Sequence, residues 1–505
     1  MKKCLLITFF FCCFVSLFSL VPQEDNYVWF VPEPFLSSEE FFYVLLNKEY
    51  KSSGDYYSLG YYYRYGEVVE QDYKTAAAYF TTAAEMGHAR AQNELGVMYA
   101  KGFGVEQNDE TAVYWYRKAA EQGHAGGQNN LGYRYNIALG LPYDPEAAVY
   151  WYRLSAEQGY LQAQNNLGLC YDNGTGVKQD YEQAFYWFSL AASRNYPPSI
   201  NQLGVYHYYG YVVEKDLQKA FEYYKTSAEL GYSRAQSNLG NMYLNGYGVE
   251  KDEKTAVMWC EMSAAQNDKI GQWRLARCYE NGTGVEKNYK TAFDWYMKSA
   301  LQEYDKSQFK VGYFYYTGLV VEKNYDEAFT WLKRAEKNGS TDVWFYLGYL
   351  YNNGLGTFED NEKAVHYYTL SADGGDRVAM YNLALCYEKG DGVNKDLEKA
   401  LNLLIRSASD GDIDAMYKCG RFYQYGYGTE TDYVKAFSYY AEAALNGKVE
   451  SQEKLAIFYE KGNGVVQDYS EALYWYEKAA ESGNIDMINK VAYMYNNGIG
   501  TEPDY

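Results

Sequence analysis

Apolar and small residues recur along this chain in two short helical rhythms, and the pair of rhythms repeats every thirty-six residues without insertion or deletion. With Leu59 as position zero, steps of thirty-six reach Leu95, Leu131, Leu167, Leu203, Leu239, Leu275, Val311, Leu347, Leu383, Cys419, Leu455 and Val491, each followed by Gly or Ala. Small residues often stand four positions before the anchor (Ala91, Ala163, Ala235, Ala379, Ala415), and Tyr stands four after it in every repeat but one, where it is His207. Positions −4, 0 and +4 line one face of a helix. Gly at +1 is unfavourable within a helix, so its presence predicts another helix approaching where a side chain would not fit.

The second rhythm follows a turn. Gly at +7, usually in Gly-x-Gly-Val, ends the first helix. Asp or Asn at +13, from Asp72 to Asp504, supplies the short polar acceptor of an N-cap. Ala at +17, an aromatic at +20 (Trp115, Trp151 and Trp187 among them) and Ala or Ser at +24 then predict the buried face of a second helix. Gly at +28 closes it, with Asn195 and Asn267 taking the same left-handed place. A unit of this size cannot bury its apolar face alone and must stack on its neighbours. The pattern therefore predicts an all-α chain, an α/α solenoid of helix-turn-helix repeats.

The order Ala, Leu-Gly, Tyr, Gly-x-Gly-Val, Asp-Tyr, Ala, Trp-Tyr, Ala-Ala, Gly resembles the consensus of the Sel-1-like repeat family, over residues 55 to 505. The resemblance implies a right-handed superhelix similar to tetratricopeptide arrays, serving as an adaptor or scaffold for other proteins. Relatives include a lumenal adaptor of endoplasmic-reticulum-associated degradation, bacterial surface or periplasmic proteins, and a cysteine-rich group credited with binding β-lactams. This chain lacks that group's paired cysteine in each repeat, so a secreted hydrolase of that kind stands as the alternative reading.

Three segments are expected. Lys2 and Lys3 precede an apolar run from Cys4 to Val21, the layout of a signal peptide over residues 1–21, either cleaved or kept as an anchor. Residues 22–54 form an N-terminal helical cap, with Ser37-Ser38-Glu39-Glu40 opening a helix toward Tyr50. Residues 55–505 hold twelve complete repeats and part of a thirteenth, which stops at Tyr505 where its second helix should begin. Repeat three is irregular: Ala138 replaces the turn Gly, with Pro142 and Pro145 nearby, and a different turn is expected there. The leader places the protein outside the cytoplasm: in the endoplasmic reticulum lumen or secreted if the source is eukaryotic, in the periplasm or at the cell surface if bacterial. Contact with a membrane would run through an uncleaved anchor or a membrane-bound partner.

Composition narrows the partners. The formal charge of −20 opposes nucleic acid, and a protein or peptide is the expected ligand. Cys170, Cys278 and Cys386 share one repeat position and read as small buried hydrophobes. Four histidines, no metal-ligand spacing, no phosphate loop and no nucleophile elbow leave no catalytic residue, metal or cofactor to name. His88, His124 and His207 read as structural.

Binding residues are best sought where the repeats differ. At position −2, Asn93, Asn129, Asn165 and Asn201 give way to Trp273, Phe309, Phe345, Tyr381 and Tyr417. Tyr313 and Tyr349 extend this stripe by one turn, and Arg277 and Arg421 follow Trp273 and Tyr417 at the same spacing. If the first helices line a concave face, the stripe is a partner-binding ladder; half-buried packing is the alternative. Asn173, Asn281 and Asn338 begin Asn-x-Ser/Thr sequons and are glycosylation candidates in a eukaryotic source.

Overall fold

The computed structural model describes residues 36–501, which form twenty-six helices and, among those residues, no strand. The leader, residues 22–35 and Asp504 lie outside the described residues. The chain divides between Gln266 and Asn267 into two compact units, the first carrying repeats one to six and the second repeats seven to thirteen. The division coincides with the change at position −2 from Asn or Ser in repeats two to six to aromatic residues in repeats seven to eleven.

Each complete repeat is two antiparallel helices, as in Ala89–Lys101 followed by Asp109–Glu121. The first helix ends on a left-handed Gly such as Gly102, φ 70°. The second begins on a side-chain cap: Asn108 Oδ1 accepts from the Thr111 amide at 2.8 Å. Asp or Asn caps the second helix in the same way in all twelve complete repeats, from Asp72 to Asp468. Ahead of the repeats, Ser38–Asn47 starts on a reciprocal cap between Ser37 and Glu40 and lays Phe42 and Leu45 on Leu59 and Tyr62.

Packing explains the rhythm and corrects it in two places. The anchors and the Ala at +17 are buried in every complete repeat. The side chain that covers the first helix, however, is at +21, while among the described residues +20 is buried only at Trp331, Tyr367 and Trp475. Phe80, Tyr116, Tyr152, Phe188, Tyr224, Tyr368 and Tyr440 are buried, while Trp115, Trp151, Trp187, Trp259 and Trp295 lie half-buried beside them. Position +21 faces the Gly at +1: a Cβ on Gly96 would come within 2.6 Å of the Tyr116 ring. The second correction concerns repeat three. Ala138 takes φ 54° and ψ 44°, the conformation Gly adopts elsewhere, so the expected change of turn does not occur. Pro145 sits at the start of its helix, where its missing N–H costs nothing.

A buried polar ladder runs beside this core. Gln92 donates its Nε2 to the Ala84 carbonyl of the preceding repeat at 3.0 Å and accepts from Gln122 of its own repeat at 2.6 Å. Gln128 with Gln158, and Gln236 with Gln266, repeat the arrangement in the first unit. Gln308 with Asn338 repeats it in the second. Ser155, Ser227, Ser263, Ser299 and Ser407, at +24, donate to a carbonyl at the start of the same repeat, as Ser155 does to Ala125 at 2.7 Å, whereas Ser371 donates to the Asp376 carboxylate. Burying polar groups is costly unless they are paired, so each Gln bond to a carbonyl of the preceding repeat also fixes the register of one repeat on the next.

Candidate functional site

The aromatic residues at position −2 project from the first helices of the second unit. All five are half-buried, neither sealed in the core nor free of it. Phe309 and Phe345 pack on one core block, Tyr381 and Tyr417 on the next, and Trp273 on the block before. The two readings of this stripe are thus not exclusive: each ring has an inner face in the core and an outer face toward solvent.

The structure joins some of these rings and separates others. Phe309 and Tyr313 lie 6.4 Å apart on one helix, and Phe345 and Tyr349 lie 6.5 Å apart on the next first helix. Tyr346 links the two pairs, with ring centroids 5.6 Å from Phe309, 5.8 Å from Tyr313 and 5.3 Å from Phe345. Tyr316 closes the group at 5.3 Å from Tyr346 and 5.9 Å from Tyr349. Sequence reasoning missed both hubs. The signal for Tyr346 was present, because its position holds Asn, Arg or Lys in neighbouring repeats (Asn238, Arg274, Lys310, Lys418). Burial, followed by three neighbouring tyrosines and Tyr325, raises the Tyr316 hydroxyl above the usual range.

Trp273 stands apart from that group. Its ring meets Tyr304 edge-on at 5.8 Å. Arg277 lies over it, Cζ 4.9 Å from the ring centroid, and Lys306 Nζ approaches to 5.4 Å. Tyr417 packs on Tyr440 at 5.9 Å, and the cation over its ring is Lys448 at 5.9 Å rather than Arg421. Lys448 is itself shared between Asp414 and Glu450. Tyr381 has its hydroxyl pushed up to about 12, first by burial and then by Asp414 and Asp412.

In the first unit the same position is structural. Asn93 accepts from Asn130 at 2.9 Å, Asn129 from Asn166 at 3.0 Å and Asn201 from Asn238 at 3.0 Å, each bond tying successive first helices together. Ser199 donates to Asn165 in the same role. All four asparagines are buried. His88 and His124 cap the helices after them, Nδ1 accepting from Ala91 and Gly127. His207 is buried and stacks on Tyr223 at 5.4 Å.

Acids and bases do not converge. Among the described residues no group of three or more His, Cys, Asp or Glu could hold a metal ion. The Cys170, Cys386 and Cys419 thiols are buried and pushed up to about 11, 11 and 12, the opposite of an activated nucleophile. Among the described residues no helix is long and apolar enough to cross a membrane. Of the sequons, Asn173 and Asn281 are exposed at the ends of their helices, whereas Asn338 donates to Gln308 at 2.8 Å and its partner Ser340 is buried.

Comparison with known proteins fits this geometry. The Sel1 repeat matches thirteen times between residues 55 and 505, from 55–88 and 89–124 through 449–484 and 485–505. The chain belongs to the Sel1 repeat family. Among solved structures it is similar to c5321, described as a protective antigen of uropathogenic Escherichia coli strains displaying an SLR fold. The two are 32% identical over 83% of this chain and 90% of that one, with a TM-score of 0.63. A Sel1 repeat protein from Oxalobacter formigenes is 33% identical over 48% of this chain and 96% of its own, with a TM-score of 0.43. No curated protein sequence matches. The chain is therefore a Sel1 repeat solenoid, an architecture consistent with a protein-interaction scaffold.

Proposed function

We propose that this Sel1 repeat protein is a non-enzymatic scaffold acting outside the cytoplasm, and that it holds a protein or peptide along the aromatic first-helix face of its second unit. The observation that carries the reading is the joined cluster Phe309, Tyr313, Tyr316, Tyr346, Phe345 and Tyr349. Six rings meet on the first helices of two successive repeats where the first unit has buried asparagine links. Rings anchored on one side and open on the other present rigid apolar surface at low entropic cost, the character of interface anchors. The leader supports an extracytoplasmic place, and the likeness to a protective antigen of a pathogen is compatible with a surface or secreted location.

The test is affinity capture from extract of the source organism with the mature chain, beside a Trp273→Ala, Phe345→Ala variant whose helicity is checked by circular dichroism. Partners lost only with the variant support the reading. Partners retained equally reduce the stripe to packing and overturn it.

A further inference from the structure

We propose that Trp273, Arg277 and Lys306 form a docking point for an acidic peptide segment, its carboxylates on the two cations and an apolar side chain against the indole. The inference rests on the scaffold reading and names the chemistry of its partner.

Charge placement carries it. Along the first helices of this unit, three of the five cations one residue before the anchor are matched by a glutamate of the preceding repeat. Lys310 pairs with Glu280 at 2.8 Å, Lys418 with Glu388 at 2.6 Å and Lys490 with Glu460 at 2.8 Å. Arg277, two residues after its anchor, and Lys306, five residues before its own, have no such match. Both are exposed, and neither has a carboxylate within ion-pair distance among the described residues. The acid nearest in sequence to Arg277 on its own helix, Glu280, is taken up by Lys310 and by the Tyr296 hydroxyl at 2.6 Å. Asp305 adjoins Lys306 in sequence, but consecutive helical residues point apart.

Arg277 and Lys306 thus meet one indole without a carboxylate partner in a chain of charge −20, and Arg274 Cζ lies 5.9 Å from the same ring. An acidic segment is repelled by most of such a surface and held where the sign inverts, which gives register as well as attraction. The indole supplies the apolar half of the contact. A nucleic acid would gain the same two charges but meet the acidic remainder of the chain along its whole length.

Panning a phage-displayed library of random linear peptides on the full chain tests this, run beside the Arg277→Glu, Lys306→Glu protein and the Trp273→Ala, Phe345→Ala protein. The expected result is a consensus combining Asp or Glu with an aromatic or aliphatic residue. As a synthetic peptide it should bind about tenfold or more weaker to the charge-reversed protein, and its Gln-substituted form should bind no variant. The milder Arg277→Gln, Lys306→Gln protein should fall between. An acidic consensus that binds the charge-reversed protein equally overturns the placement, and a consensus without acids overturns the chemistry. A neutral consensus lost with Trp273→Ala, Phe345→Ala would leave the scaffold standing while removing this inference. Failure of every protein to select a peptide would remove both.

Discussion

Gly104, in the loop of the second repeat, rests directly on the carbonyl of Tyr73, the first residue of the preceding repeat's second helix: a Cβ on Gly104 would fall 2.1 Å from that oxygen. The second Gly of Gly-x-Gly-Val is thus a contact between repeats as well as a turn. Gly176 on Pro145, Gly356 on Tyr325 and Gly464 on Tyr433 repeat it within their own units. Gly104→Ala must therefore move backbone, and it is expected to destabilise the chain by about 3 kcal/mol or more. Gly87→Ala shares the left-handed backbone, φ 89°, but meets nothing within 4 Å. Its expected cost is only about 1 kcal/mol. Urea denaturation of the two variants separates contact from conformation, and equal losses would show that the loop contact contributes nothing.

Val212 occupies that second-Gly position in repeat five and takes φ 62° with a β-branched side chain half exposed to solvent. Left-handed backbone is strongly disfavoured for such a residue. Val212→Gly should relieve the strain and raise stability by about 1 kcal/mol, after the extra chain entropy of Gly in the unfolded state is offset. A fall in the denaturation midpoint would mean that the Val212 side chain stabilises the loop in a way the strain argument omits.

The repeat period, both helices, their caps and the close approach at +1 were legible in the sequence because they rest on residues with few substitutes: Gly for left-handed backbone, Asp or Asn for a cap, Ala where helices touch. The buried position at +3 was not. Tyr62, Met98, Cys170, Phe314 and Leu350 all serve there, and so does Arg134, which is buried by pairing with Asp109 at 2.6 Å. Burial at that point fixes volume and not chemistry, so no residue type marks it. The shift from +20 to +21 has a related cause, since Trp and Tyr adjoin in the sequence and both are apolar. Tyr at +4 shows the opposite case. Tyr351 stacks on Tyr367 of its own repeat at 5.7 Å and meets Phe329 of the preceding repeat edge-on at 5.4 Å, and that double contact keeps the residue aromatic. At the candidate site the stripe was legible as a change of pattern. Its division into a six-ring cluster and a separate cationic Trp273 was not, because that depends on which rings reach across to the next helix.

The glutamine ladder makes a prediction about pairs. Gln236 donates to Ala228 O at 3.2 Å and accepts from Gln266 at 2.8 Å, in a site almost closed to solvent. Gln236→Met removes both bonds, but Ala228 O keeps the Gly231 amide at 3.0 Å and Gln266 is exposed to water, so the expected cost is about 1 kcal/mol. Met380 and Met416 hold the equivalent position in later repeats, with Asp410 and Asn446 where Gln266 stands, so a repeat without the Gln–Gln link exists. The double variant Gln236→Met, Gln266→Ala should therefore lose less than the sum of its single changes. A double-mutant cycle with no coupling would show that the ladder bonds are not a unit.

His124 should make the first unit sensitive to acid. Its Nδ1 accepts from the Gly127 amide at 3.0 Å, which requires that nitrogen to be unprotonated. Burial, then the charge of Arg90, then His88 lower its pKa to about 4 from the model-peptide value of 6.5. The folded state therefore binds fewer protons than the unfolded chain between these values, and stability rises with pH across the window. The contribution is complete above about pH 6.5 and lost as pH falls toward 4, with a total on the order of 3 kcal/mol. Asn484 fills the same position in the last repeat and caps its helix through Oδ1, so His124→Asn keeps an acceptor without the titration. The two proteins should differ little near neutrality, and the variant should be the more resistant to denaturant near pH 4.5. Parallel loss of stability in both would assign the acid response to other groups, chiefly the capping carboxylates Asp72 and Asp252, whose pKa values are lowered by hydrogen bonds from Thr75 and Thr255.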